Sequence, residues 1–130
     1  MKVKQVSVFL ENRPGHMATM LQVLGEAEVD IRAMCLADTA DFGIARLILS
    51  DTERGLRALR ESGFTASTTE VLRAEIPDEP GGLLHSVCQP LAAAGINVEY
   101  LYAFVDRPHG KAVVVAKVSD LDRAAQILGQ

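Results

Sequence analysis

The sequence predicts an α+β protein built from two small β-α-β-β-α-β modules in tandem, residues 1–69 and 70–130. Three observations carry that prediction. The chain repeats itself, its apolar residues switch between a period of two and a helical period, and its size suits two very small units. A fixed internal period decides the architecture. Glu11-Asn12-Arg13-Pro14-Gly15-His16-Met17 leads into a helical pattern, and sixty-six residues later Pro80-Gly81-Gly82-Leu83 does the same. Glu28-Val29-Asp30-Ile31 then matches Gly95-Ile96-Asn97-Val98 at a spacing of 67, so the second copy holds one extra residue in its first helix. Gly43 and Gly110, each opening an apolar run, keep the spacing of 67.

Each element follows from its pattern. Val6, Val8 and Leu10 alternate with polar or outward residues, which predicts a half-buried strand over residues 3–10. Pro14 suits the first turn of a helix, where a missing N–H costs nothing. Met17, Met20, Leu21, Leu24 and Ala27 recur at helical spacing and predict an amphipathic helix over 14–27. Residues 29–37 and 42–49 are β-rich runs separated by a hairpin turn from Asp38 to Asp41. Asp51 is placed to cap a second helix carrying Leu56 and Leu59, and Gly63 to end it. Phe64 to Thr69 closes the module as a weak strand. The second module is expected to run as strand 71–76, helix 80–94, strands 96–105 and 111–118, and helix 120–128.

Split β-α-β units with both helices on one sheet face make a ferredoxin-like fold, with antiparallel sheets in the order 4-1-3-2. The second module has no candidate for its last strand, so that strand is missing or replaced. Its first strand, Val71–Ile76, would be a bare edge. Bare edges are usually protected, so a neighbouring subunit or rearranged strands should cover it. A twofold homodimer is the simpler of the two solutions. Pro90, inside the first helix of this module, should kink it.

Composition narrows the function. At 130 residues, 48% hydrophobic and 23% charged, the chain can bury a core. A formal net charge of -4 disfavours nucleic acid and anionic membrane as partners. No apolar run approaches the roughly 18–20 residues of a membrane span, and the N-terminus has no continuous signal-peptide core, so the expected place is the cytoplasm. Cys35 and Cys88 form no metal or redox motif and are expected to be small buried thiols. His16, His85 and His109 lack metal-ligand spacing, so no metal and no cofactor are expected. Nothing resembles a nucleophile–base pair or a phosphate loop; Gly81-Gly82 lacks the lysine that a phosphate loop needs. The expectation is therefore not an enzyme. Arg54, Arg57 and Arg60 read as a solvated helix face, and Met17, Met20 and Met34 as core.

The ordered set of motifs, present twice, resembles the ACT family of regulatory domains. The match rests on Asn12-Arg13-Pro14-Gly15-His16-Met17 with Val29-Asp30-Ile31, on Pro80-Gly81-Gly82-Leu83 with Ala94-Gly95-Ile96-Asn97-Val98, and on the strand-like run from Asp41 to Ile48. The sequence departs from the family pattern at His16, at Asp78-Glu79 before the second Pro-Gly, at the absent last strand, and at Pro90. The resemblance implies a small regulatory protein that binds an amino acid, or a similar small ligand, where two modules meet. The contacts it implies are Asn12, Pro14, Gly15, His16 and Met17 in one loop, and Glu79, Pro80, Gly81, Gly82 and Leu83 in the other. Asp30 and Ile31, or Asn97 and Val98, would face these loops from strand 2. It also implies a homo-oligomer and leaves open a metabolic enzyme as partner, in which case the chain is a protein–protein module acting as a regulatory subunit.

Elementary physics points at the same loops. A helix N-terminus leaves about four N–H groups free and favours an anion such as a carboxylate. A glycine there lets a ligand approach the backbone. Each residue also has a plainer role: Pro14-Gly15 simply starts a helix, Asn12 caps it, His16 is solvated, and Asp30 satisfies a turn.

Overall fold

A computed structural model describes residues 1–38, 42–106 and 109–129. The elements are β1 (Lys2–Glu11), α1 (His16–Glu26), β2 (Ile31–Asp38), β3 (Phe42–Leu49), α2 (Thr52–Glu61), β4 (Ala66–Pro77), a π-helical turn (Leu84–Cys88) running into α3 (Gln89–Ala93), β5 (Val98–Asp106), β6 (Lys111–Val118) and α4 (Leu121–Ile127). The chain divides into two compact units, Lys4–Thr69 and Glu70–Gln130, the latter joined by Met1–Val3. For clarity these are modules 1 and 2. Residues 39–41 of the expected hairpin turn lie outside the described residues.

In module 1 the strands lie in the order β2-β3-β1-β4, the ferredoxin-like arrangement. Val6, Val8 and Leu10 of β1 turn inward and pack with Ala45 and Leu47 of β3 beneath Met20 and Leu24 of α1 and Leu56 and Leu59 of α2. Alternation along the strand therefore becomes burial against the helices. Module 2 builds the matching core from Leu72, Ala74, Ile76, Ala112, Val114 and Ala116 with Val87, Leu91, Ala124 and Ala125.

The same local devices hold both modules. Asp51 caps α2 by accepting from Arg54 N–H at 3.1 Å, and Asp120 caps α4 by accepting from Arg123 N–H at 3.1 Å. Each preceding serine pins the start of strand 2: Ser50 Oγ accepts from Asp30 N–H, and Ser119 Oγ from Asn97 N–H, both at 2.9 Å. The Ser50 and Ser119 N–H groups donate back to the Asp30 and Asn97 carbonyls. Both strands 2 also carry a bulge at the same place, between Ile31 and Ala33 and between Val98 and Tyr100.

Four expectations change. First, the last strand of module 1 and the first of module 2 are one continuous strand, β4. Second, the edge of β4 in module 2, expected to be covered by a neighbouring subunit or by rearranged strands, is met from within the chain as far as Arg73: Arg73 N–H donates to Met1 O at 2.7 Å, and the Met1 nitrogen donates to Arg73 O. Met1–Val3 thus fill part of the place of the missing strand. Third, the extra helical residue is absorbed as a π-turn ahead of Pro90, with Gln89 N–H reaching five residues back to Leu84 O. A π-turn inserts one residue without ending the helix, which suits a proline whose missing N–H would otherwise interrupt the ladder. Fourth, the register shows that Gly110 is not the counterpart of Gly43. Leu10 faces Gly43, whereas the equivalent Ile76 faces Ala112. From strand 3 onward the modules are therefore related by a spacing of 69, as Asp51 and Asp120 confirm.

Smaller corrections concern side chains. Cys35 and Cys88 are half-buried free thiols rather than buried ones. Met20 is fully buried and Met17 packs on the core, but Met34 is exposed. Pro14 and Gly15 form a turn before α1 rather than its first turn, so Gly15, not Asn12, occupies the N-cap position. Arg54, Arg57 and Arg60 lie on an exposed helix face, as expected.

The turn after α1 offers a stability test. Glu28 is held at φ 59°, a left-handed conformation, and its counterpart Gly95 has φ 73°. A side chain there costs roughly 1–2 kcal/mol that glycine avoids, partly offset by glycine's greater unfolded-state freedom. Glu28→Gly should therefore raise stability by about 0.5–1 kcal/mol, read as a shift in urea midpoint at constant m-value. A loss of stability would show that the Glu28 side chain contributes more than its backbone strain costs.

Candidate functional site

The β1–α1 loop is shaped by its backbone. Gly15 sits at φ 85°, ψ −14° ahead of α1, and a Cβ built there meets nothing within 4 Å. The position is left-handed and open, so the loop backbone is approachable. The N–H groups of Met17 and Ala18 have no backbone acceptor among the described residues, as the first turn of a helix dictates. The loop is otherwise tied down: Arg13 N–H donates to Glu11 O at 2.8 Å, Arg13 Nε meets Glu11 Oε2 at 2.6 Å, and Thr19 Oγ donates to Gly15 O at 3.0 Å. His16 is half-buried. Its Nδ1 accepts from Glu11 N–H at 2.7 Å, and its ring stacks on Phe64 with centroids 5.3 Å apart.

Beside this loop lies a cavity of about 130 Å³ lined by Leu10, Glu11, Asn12, Arg13, Met17, Leu36 and Gly43. Of the loop residues expected from sequence, it brings in Asn12 and Met17. Glu11, Arg13, Leu36 and Gly43 escaped the sequence reading. Glu11 and Arg13 flank Asn12 in the motif and could have been found there. Leu36 and Gly43 come together only through strand pairing; a Cβ on Gly43 would come within 3.3 Å of Leu36 Cδ1.

Strand 2 residues are not brought to the loop of their own module. Ile31 pairs with Leu49 at one end of β3, while Leu10 and Glu11 pair with Gly43 and Phe42 at the other. Asp30 is exposed, with its Oδ2 3.5 Å from Arg32 Nε. The same separation holds in module 2, where Val98 pairs with Val118 but Pro77 with Lys111.

The module 2 loop differs. Gly81 is again left-handed, at φ 81°, but a Cβ there would crowd His85 at 3.1 Å. Gly82 is buried, and a Cβ there would collide with Pro77 O. Only glycine lets the chain fold back so closely. Gly82 N–H donates to Glu79 O at 2.9 Å and Asp78 N–H to Gly110 O at 3.0 Å. Position by position, Asn12 and Arg13 are replaced by Asp78 and Glu79.

Among the described residues no group of His, Cys, Asp and Glu is placed to hold a metal, and no helix is long and apolar enough to cross a membrane.

Two ferredoxin-like units in tandem, each opening its first helix at a Pro-Gly turn, match the architecture of a regulatory domain pair. The chain belongs to the ACT family: the family model described as an ACT domain pair matches residues 1–129. Protein BT0572 from Bacteroides thetaiotaomicron is similar at 35% identity with a TM-score of 0.93, covering 99% of this chain and 88% of that one. The regulatory subunit of aspartate kinase from Thermus thermophilus, in its ligand-free form, shares the fold at 16% identity and a TM-score of 0.68, covering 98% and 91%. Its Thermus flavus equivalent does so at 17% identity and 0.66, covering 98% and 90%. No curated protein matches the chain.

Proposed function

We propose that the chain is a cytoplasmic, non-catalytic regulator that binds a free amino acid at the β1–α1 loop of module 1. The observation that carries this reading is the cavity of about 130 Å³ framed by Asn12, Arg13 and Met17 at an open, left-handed Gly15. A carboxylate fits the Arg13 guanidinium and the free N–H groups of the first helical turn. An ammonium is served by Glu11 and by the Asn12 side-chain oxygen.

Strand 2 of a neighbouring module completes the pocket, through Asn97 and Val98 for this loop and through Asp30 and Ile31 for the loop Glu79–Leu83. That need for a neighbour is why a homodimer belongs to the proposal. The loop Glu79–Leu83 is the weaker, pseudo-equivalent site, and Pro14, His16, Pro80, Gly81, Gly82 and Leu83 shape the two loops.

Thermal denaturation in the presence of each of the twenty amino acids tests this. A ligand at a hundred times its Kd stabilises by about 2.7 kcal/mol. For a chain of this size that is a rise of roughly 5–15 °C in Tm. The expected result is such a rise for one amino acid or a small chemical group of them. No shift with any of the twenty, at millimolar concentration, would remove the reading.

A second reading takes the chain as a regulatory subunit that docks an enzyme. It is favoured by the fold shared with a subunit described as regulatory in aspartate kinase. Stoichiometric co-purification of one enzyme with the tagged protein, with no amino-acid effect on Tm, would replace the first reading by this one.

A further inference from the structure

Module 1 holds a second cavity, of about 210 Å³, where β1 ends and β3 and β4 begin. It is lined mainly by Phe9, Phe42, Phe64, His16, Glu11 and Thr65. The chain contains only four phenylalanines, and three of them line this one space. Phe64 belongs to the core, but Phe9 and Phe42 are each 53% exposed. Phe9 lies between the buried Val8 and Leu10 and therefore points from the opposite sheet face. It contributes nothing to the core beneath the helices.

The repeat supplies an internal control. Phe9 precedes Leu10, which faces Gly43, and Phe42 precedes Gly43. In module 2 the same register places Glu75 before Ile76, which faces Ala112, and Lys111 before Ala112. Glu75 Oε2 and Lys111 Nζ are 3.6 Å apart, an exposed ion pair. The architecture is thus satisfied by two charged side chains where module 1 has two phenyl rings. The rings are not needed to build the module, and exposed aromatic rings around a concavity are the kind of surface that binds a ligand.

The remaining wall is ordered. The His16 ring stacks on Phe64 at an interplanar angle of 21°. Because Nδ1 accepts from Glu11 N–H, the ring proton resides on Nε2, a donor for a ligand's polar substituent. We propose that this cavity binds the ring of a small aromatic molecule, which packs among Phe9, Phe42 and the His16–Phe64 stack. Aromatic walls reward an aromatic guest over an aliphatic one through offset-stacked and edge-to-face contacts. The two cavities share Leu10 and Glu11, but Phe9, Phe42, Phe64 and His16 line only this one.

The chain has no tryptophan, so the emission of added indole can be followed without background. Indole carries neither carboxylate nor ammonium and gains nothing from Arg13. It should show a saturable blue shift, reversed by toluene and not by an equal concentration of methylcyclohexane. The double variant Phe9→Glu/Phe42→Lys copies the module 2 ion pair. It should keep its circular dichroism spectrum and weaken indole binding about tenfold or more. No saturable shift, equal displacement by methylcyclohexane, or undiminished binding by the double variant would each overturn the proposal. So would a double variant that fails to fold, since the phenyl rings would then be structural. Conversion of a wild-type dimer to a monomer by the double variant, without indole binding, would assign the rings to a subunit interface instead.

Discussion

A chain beginning at Lys4, released from a cleavable tag, should lose roughly 2–3 kcal/mol of stability in module 2 and should self-associate. Met1–Val3 supply the outer neighbour of β4 in that module. Removing them deletes the acceptor of Arg73 N–H and the donor to Arg73 O. Each such bond has a net value of about 0.5–1.5 kcal/mol. The 2.7 Å pair between Lys2 and Asp122 is exposed on both sides and adds at most about 1 kcal/mol. The larger consequence is kinetic and colloidal, because a bare strand edge is a template for another chain. Three measurements decide. Urea unfolding should shift to a lower midpoint, the Arg73 amide should lose protection from hydrogen exchange, and light scattering should show growth with concentration. If the shortened chain stays within about 0.5 kcal/mol of the full one and monodisperse, the N-terminal residues are decoration on that edge.

Those residues also show where the sequence stops being informative. The alternation of Val6, Val8 and Leu10 is a local signal, since side chains two apart share a face. So is the capping Asp51, which precedes its helix by one residue. These signals sufficed for a ferredoxin-like unit, twice. Nothing local marks Met1–Val3 as the partner of residues seventy positions away. Strand pairing is a non-local event with no pattern of its own. The fusion of the two middle strands is invisible for a similar reason, because Thr and Ser at residues 67–69 look like a break until both sides are paired.

Insertions were legible as lengths but not as shapes. One extra residue before Pro90 can kink a helix, break it or be taken up in a wider turn, and the π-turn preserves the burial of both Val87 and Leu91. The two extra residues of the second hairpin were hidden by a coincidence: Gly110 falls where a spacing of 67 from Gly43 predicts it. The pairing of Ile76 with Ala112 exposes the true correspondence. The loop site shows the same limit. Asn12 and Met17 were readable from the motif, whereas Leu36 and Gly43 reach the cavity through their places on β2 and β3.

The two loops should differ in affinity for a carboxylate by about tenfold or more, in favour of module 1. Glu11, Asn12 and Arg13 carry one negative and one positive charge, so that loop is neutral overall. Pro77, Asp78 and Glu79 occupy the corresponding places with two negative charges. An acid near a helix N-terminus gains about 0.3–1 kcal/mol, and up to roughly 2 when partly buried. Asp78 and Glu79 already hold that advantage, and they repel a second anion. Replacing the cation Arg13 by an acid at the equivalent place removes a charge-assisted donor as well. The opposing effect is on strand 2, where Asp30 would hold an ammonium better than Asn97. Arg32 lies 3.5 Å from that carboxylate and reduces the benefit, so the carboxylate side decides. Calorimetry on the amino acid found by thermal screening should therefore show one strong class of site. Arg13→Glu should weaken it about tenfold or more. Asp78→Asn with Glu79→Arg should create a second class of comparable strength, with the first unchanged. If Arg13→Glu binds as the wild type does, while Glu79→Arg alone alters the observed affinity, the strong site belongs to module 2 and the assignment must be reversed.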